Sequence, residues 1–311
     1  MSGDRAGGGL PPAARARLAE ISGSGTWGSA LTTDEFAAIR SVGFEPVGQV
    51  LGATVYNVGY TGGYGCPGGL GGGMFGGPLA GVTQVSGQGG WGSFAALART
   101  MYEARQQAIG RMSAECAALG GHGIVGVSLT IGPFPAGGLE FKAIGTAVRG
   151  RDAASPPRPF TSDLSGQDFA KLIMAGWVPA GLALGISIGA RHDDWRTRSQ
   201  RYWGAGNTEV DGYTELVGHA RHDARVQLES DVRQLGAEGV VVSTMQMNVR
   251  ERECPVQEGT RDHIAEVTII GTATARFAPT AAPHPGSLAV LSLDPQRRQA
   301  ARVRLGGGRA S

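Results

Sequence analysis

A chain of 311 residues is long enough for two domains with separate cores. Its 28 basic and 26 acidic residues nearly cancel, so it lacks the basic face of a dedicated nucleic-acid binder, and no specific nucleic-acid partner is expected. Three cysteines, Cys66, Cys116 and Cys254, are odd in number and form no CxxC pair, which excludes a disulfide framework and points to a reducing, cytoplasmic setting.

Residues 1–31 are rich in glycine and alanine and are expected to be flexible; they contain no apolar stretch that would act as a signal peptide. Thr33 or Asp34 is placed to cap a short helix that runs to Val42, and Gly43 stops it. An extended run follows from Val47 to Val58. No charged residue occurs from Pro46 to Ala98, and 59–92 is largely glycine. Glycine loses the most entropy on ordering, so this stretch reads as a long loop. A helix is predicted from about Ser93 to Leu119, with Phe94, Leu97, Met101, Ala104, Ala108, Met112 and Leu119 on one stripe. Two alternating strands follow: Val125, Val127, Leu129 and Ile131, then Phe141, Ala143 and Gly145.

Three prolines make 151–160 a stiff linker, and the pattern then returns. Gly43-Phe44-Glu45-Pro46-Val47-Gly48 becomes Gly176-Trp177-Val178-Pro179-Ala180-Gly181, and Leu51-Gly52 becomes Leu184-Gly185, each at an offset of 133. The helix stripe returns as Tyr213, Val217, Ala220, Ala224, Leu228 and Leu235. The strands return as Val241, Met245, Met247 and Val249, then Val267, Ile269 and Gly271. The uncharged stretch from Leu172 to Ala190 has nearly the length of a membrane span. Pro179 and four glycines interrupt it, and its counterpart carries Arg40 and Glu45, so no span is expected. The tail 277–311 is basic and expected to be flexible, with Asp294-Pro295 placed to start a short helix and an acidic partner as its one expected contact.

The prediction is an α+β chain in which one unit occurs twice, at 32–150 and 161–276. Each unit is a βαββ layer pair behind a short helix, with a three-stranded sheet in the order 1-3-2 and one long helix across it. Such a sheet leaves a face and its edges bare, so a homo-oligomer is expected, with Met245, Met247, Val249, Leu129 and Ile131 near its interfaces.

Four features together resemble the YbjQ-like family: the glycine-rich first strand, the Ala-Arg pairs Ala104-Arg105 and Ala220-Arg221, the Leu-Gly-x-x-Gly turns, and the closing Gly-Thr-Ala strands. The resemblance covers roughly 45–148 and 178–275. It implies a dodecin-like fold and ring-like homo-oligomers, carries a heavy-metal-binding label, and implies no enzymatic activity.

Candidate metal ligands are Cys66, Cys116 and His122 in the first unit, and His192, His219, His222, Cys254 and His263 in the second. His219 and His222 lie three apart on one helix face, the spacing of helical metal ligands. No spacing supplies four closed ligands, so the expectation is at most a weakly bound divalent metal and no other cofactor. Gly63 to Gly68 matches the dinucleotide fingerprint in letters alone: no helix begins there and Pro67 interrupts it. Gly185-Ile186-Ser187-Ile188-Gly189 matches the nucleophile elbow, with His219 or His263 and Asp211 or Asp223 downstream. A hydrolase needs a doubly wound sheet around that serine. A non-catalytic oligomeric scaffold or ligand-binding assembly is the favoured reading, and an enzyme with a site at a domain or subunit junction the alternative.

Overall fold

A computed structural model describes residues 10–24, 28–56, 83–84, 91–135, 138–151, 156–202, 204, 206–254 and 258–277. Most of the glycine-rich loop, Cys66, the Gly63–Gly68 match and the basic tail lie outside the described residues. In chain order the elements are α1 (Pro12–Ser24), α2 (Thr33–Ser41), β1 (Phe44–Tyr56), β2 (Thr83–Gln84), β3 (Trp91–Ser93), α3 (Ala95–Ala118), β4 (Gly123–Pro133), β5 (Leu139–Gly150), β6 (Phe160–Thr161), α4 (Gly166–Met174), β7 (Trp177–His192), α5 (Trp195–Gln200), α6 (Asp211–Gln234), β8 (Gly239–Glu253) and β9 (Arg261–Arg276). Helix α1 stands in a segment where the sequence predicts no element.

The short helices start on equivalent caps. The Thr32 hydroxyl accepts the Glu35 backbone N–H at 3.3 Å, and the Glu35 carboxylate accepts the N–H of Thr32 at 2.8 Å, a closed capping box. Ser165 accepts the Asp168 N–H at 3.1 Å in the same way. The first cap thus lies at Thr32, one residue before the predicted Thr33. Glu35 at the third helical position reaches back to the Thr32 backbone, and that fixes the start.

The first sheet runs β1-β5-β4-β6 and the second β2-β3-β7-β9-β8. In each, the first long strand pairs antiparallel with the third, and the third with the second, which is the predicted 1-3-2 order. Both sheets are wider than the predicted three strands, because short segments satisfy backbone groups at their edges. Residues Phe160–Thr161 extend the first sheet in parallel beside β4. Residues Trp91–Ser93, from the end of the glycine-rich stretch, pair with β7.

The repeated glycines are explained by close approach. A Cβ on Gly52 would stand 1.9 Å from the Ala108 carbonyl oxygen of α3, and one on Gly185 would stand 2.0 Å from that of Ala224 in α6. Each long helix therefore lies directly on the centre of its first strand. The predicted alternation of β4 holds only after a bulge between Val125 and Ser128, with Gly126 at φ +66°. The bulge turns Val125 toward Ile39, Val148 and Phe169, while Val127 joins the core under α3.

Helix α3 is shared between the two sheets. One side packs on Val50, Phe141, Ala143 and Ala147 of the first sheet, and the other meets Leu182 and Leu184 of β7. Its N-terminal turn, with Phe94 and Leu97, meets Ile188, Ala190 and Ile264. Helix α6 covers the opposite face of β7 and β9 through Leu216, Ala220, Ala224 and Leu228. The layers therefore alternate as first sheet, α3, second sheet, α6. The uncharged stretch from Leu172 to Ala190 is the end of α4, a turn at Gly176 and most of β7. No helix among the described residues is long and apolar enough to cross a membrane.

A candidate metal centre at the strand ends of the second sheet

Antiparallel pairing brings the end of β7, the end of β8 and the start of β9 side by side. His192 stands opposite Asp262, and Arg252 opposite Asp262 on its other side. Cross-strand partners share a face, so the three side chains converge. His192 Nδ1 lies 2.8 Å from Asp262 Oδ1, and Arg252 Nη2 lies 3.2 Å from Asp262 Oδ2. Asp262 is fully buried. Cys254 follows β8, tied down by its N–H to the Thr260 carbonyl at 2.8 Å. The ligand atoms of His192, Cys254 and Asp262 all lie within 4.8 Å of one another, and among the described residues this is the one His/Cys/Asp/Glu group so placed.

The next residues face the other side of the sheet. His263 Nε2 lies 3.1 Å from Glu251, and His263 Nδ1 3.2 Å from Asp193 Oδ1. Asp193 also pairs with Arg201 at 2.8 Å and accepts the Tyr213 hydroxyl at 3.2 Å. Burial pulls the His263 pKa down, with Asp193 opposing, and burial pushes the Tyr213 hydroxyl up to about 12. This second cluster is closed on itself by ion pairs.

An imidazole, a thiol and a carboxylate form a donor set suited to a borderline-soft divalent ion such as zinc rather than to calcium or magnesium. The Thr260 hydroxyl is buried and has no hydrogen-bond partner among the described residues, and its backbone carbonyl is the one that holds Cys254. The donors fit such an ion in kind and in closeness. They number three, which leaves a coordination position open, and the Arg252 guanidinium competes for the same carboxylate.

The predicted ligands fall into three groups. His219 and His222 are exposed on α6, outside the three-donor group. Cys116 and His122 are buried in structural roles. The Cys116 thiol donates to the Gly123 carbonyl at 3.4 Å, and burial pushes its pKa up to about 12; His122 Nδ1 accepts the N–H of Gly150 at 3.2 Å. His192 and Cys254 meet beside Asp262 at the strand ends, and His263 stands there on the opposite face of the sheet. Asp262 is absent from the candidates read from sequence, because only the β7–β9 register places it beside His192.

A pair of buried carboxylates also escaped the sequence reading. Glu115 of α3 accepts the N–H of Leu51 at 2.8 Å, and Asp231 of α6 accepts that of Leu184 at 3.0 Å. Burial raises the carboxyl pKa of both. Arg17 of α1 pairs with Glu115, while the Tyr102 hydroxyl of α3 donates to Asp231 at 2.8 Å. Burial, and then Asp231, push Tyr102 up to about 12. Ser187 of the elbow-like motif sits mid-strand opposite Val267. The cleft beside it is lined by Arg99, Tyr102, Asp223 and Gln227, with no histidine among its described walls.

The family model described as "Putative heavy-metal-binding" matches residues 71–151, which include α3, β4 and β5. A protein of Mycobacterium tuberculosis (strain ATCC 25618 / H37Rv), named Encapsulin nanocompartment protein Rv1762c, is 33% identical over 239 residues, spanning 75% of this chain and 81% of that protein. No solved structure matches. The chain therefore belongs to one family with the Mycobacterium tuberculosis protein, and its residues 71–151 match the YbjQ-like family that carries this heavy-metal-binding description.

Proposed function

We propose that the protein is a non-catalytic, self-associating scaffold. On this reading it is made of two copies of one dodecin-like βαββ unit and works in an assembly of the kind its Mycobacterium tuberculosis relative is named for. The observation that carries the reading is β8. It is the edge strand of its sheet, 15 residues long, and Val241, Val242, Met245, Met247 and Val249 are all exposed on it. Met247 is 42% exposed and Val249 49%, although their partners Val267 and Ala265 are buried under α6. A long apolar edge strand is a template for pairing, and a second copy of the chain supplies a matching one. Sedimentation at low micromolar concentration tests this. The wild type is expected to run as an oligomer and Met247→Asp as a smaller species. A compact monomer that the substitution leaves unchanged would overturn it.

Ion binding is a second reading, supported by the His192–Cys254–Asp262 set. A divalent ion there would be held by those three side chains and would supply a fixed positive charge that cross-links three strand ends. Asp262 would have to exchange its bond to Arg252 for the ion, which makes binding weak. Zinc content after dialysis, measured by elemental mass spectrometry, separates the candidates. Loss of zinc on Cys254→Ser supports the strand-end site, and loss on changing His219 and His222 to Ala supports the helix face. Absence of zinc from the wild type removes both.

A further inference from the structure

Arg105 is the least compensated charge in the described structure. It projects from α3 where that helix passes between the sheets, and it is 6% exposed. Its Nη1 is buried with no hydrogen-bond partner among the described residues. The guanidinium carbon stands 5.8 Å over the Phe141 ring. Burial lowers the pKa of Arg105 to about 10, and the more distant charge of Glu266 only partly offsets that. A buried guanidinium without a paired anion is costly to keep.

Arg105 lines a cleft of about 640 Å³ between β4 and the backs of β8 and β9. Ser128, Thr244, Gln246 and Thr268 give one part of its wall hydroxyls and an amide, and Leu129, Ile131 and Ile270 give another part apolar surface. Two carboxylates also line it, and both are committed elsewhere. Glu35 accepts from Thr32 and from the N–H of Gly166, and Asp163 accepts from the hydroxyls of Thr272 and Ser243.

We propose that this cleft binds a small amphipathic organic monoanion whose carboxylate or phosphodiester group pairs with Arg105. The guanidinium offers the planar donor fork that such groups accept, and burial strengthens the bond. The mixed walls suit a ligand with one polar and one apolar side, and the volume falls in the range of small-molecule sites. Glu35 and Asp163 disfavour a second negative charge, so a polyphosphate is excluded. The site occurs once per chain: Arg221, which stands on α6 where Arg105 stands on α3, is exposed.

Calorimetry on the full chain with benzoate, methyl phenyl phosphate and benzamide tests the proposal. One anion is expected to bind per chain, with neutral benzamide at least about tenfold weaker. Preference between benzoate and methyl phenyl phosphate, both monoanions, tells a carboxylate site from a phosphodiester site. Arg105→Gln is expected to weaken binding about tenfold to a hundredfold. Gln246→Glu, which adds a negative charge to the wall from an exposed position, is expected to weaken it about tenfold and keeps the test open should Arg105→Gln not fold. Equal affinity for benzoate and benzamide, no binding of either anion, or unchanged affinity in Gln246→Glu would overturn the proposal.

Discussion

Strand β7 is buried on both faces and β1 on one, although the two share the Leu-Gly step 133 residues apart. Ile188, between β7 and α3, is 2% exposed, whereas Val55, at the matching place on β1, is 45% exposed. Leu184 is fully buried and Leu51 only partly. The motif is the same and the neighbours differ. Helix α3 follows β1 in the chain and covers β7 from behind, but among the described residues no long helix precedes β1 to do the same for it. Helix α1 pairs instead with α3, through Arg17 and Glu115. Helix α3 thus serves both sheets, and among the described residues no helix does the same for the back of β1.

The close glycines give the sharpest test of that asymmetry. Gly185→Ala forces α6 off a strand that α3 holds from the other side, and is expected to cost about 3 kcal/mol or more. Gly52→Ala meets the same obstacle, but β1 can yield toward its open face, so the loss should be about half as large. Urea denaturation of both variants decides it, and equal losses would mean that the open face of β1 gives no freedom. Leu184→Ala should cost about 3 kcal/mol and Leu51→Ala about 1 kcal/mol in the same experiment, since cavity cost scales with burial.

The two buried carboxylates should separate by pH. Burial raises both pKa values, so the fold favours the neutral acid. That contribution is complete below the unfolded carboxyl range, near pH 4, and is lost as pH rises through the raised values. Asp231→Asn should therefore lower the melting temperature at pH 4 and lower it less, or raise it, at pH 8, a swing of about 1 kcal/mol. Glu115→Gln should swing less, because Arg17 favours the ionised form of Glu115 and among the described residues no cation is paired with Asp231. Melts across that range check the order of the two. The smallest expected effect is that of Val55→Lys, within about 0.5 kcal/mol if the back of β1 faces water. A marked change in sedimentation would show instead that another copy covers it.

Much of this architecture was legible in the sequence because repetition amplifies weak signals. Gly52 and Gly185 look like ordinary strand glycines singly, but at a constant offset they mark one contact made twice. The strand order follows from a helix stripe between two extended runs. The added edge strands were not legible, since Phe160–Thr161 and Trp91–Ser93 become strands only because an edge is waiting for them. Glu115 and Asp231 carried a readable sign: each is an acid at the same step of an apolar stripe, three residues after Met112 or Leu228. The strand-end cluster carried none, because 62 residues separate His192 from Cys254 and only the register of three strands unites them. Arg105 and Arg221 belong to the same Ala-Arg motif, yet one is buried and the other exposed. Local sequence cannot distinguish them, because the difference lies in which sheet stands opposite.

The shared helix has a further consequence during synthesis. The three long strands of the first sheet and α3 have all emerged once residue 150 leaves the ribosome, but α3 then has one side bare, with Leu97 and Ala98 waiting for β7 and β9. At about 5–20 residues per second, roughly ten seconds pass before β9 has emerged and the second sheet can close over that side. A nascent chain in that interval displays an apolar helix face matched to the back of a sheet, and neighbouring chains on the same message carry finished copies of such a sheet. Misassembly between polysomal neighbours is therefore the hazard this layered arrangement creates, and slow translation between residues 150 and 260 would worsen it.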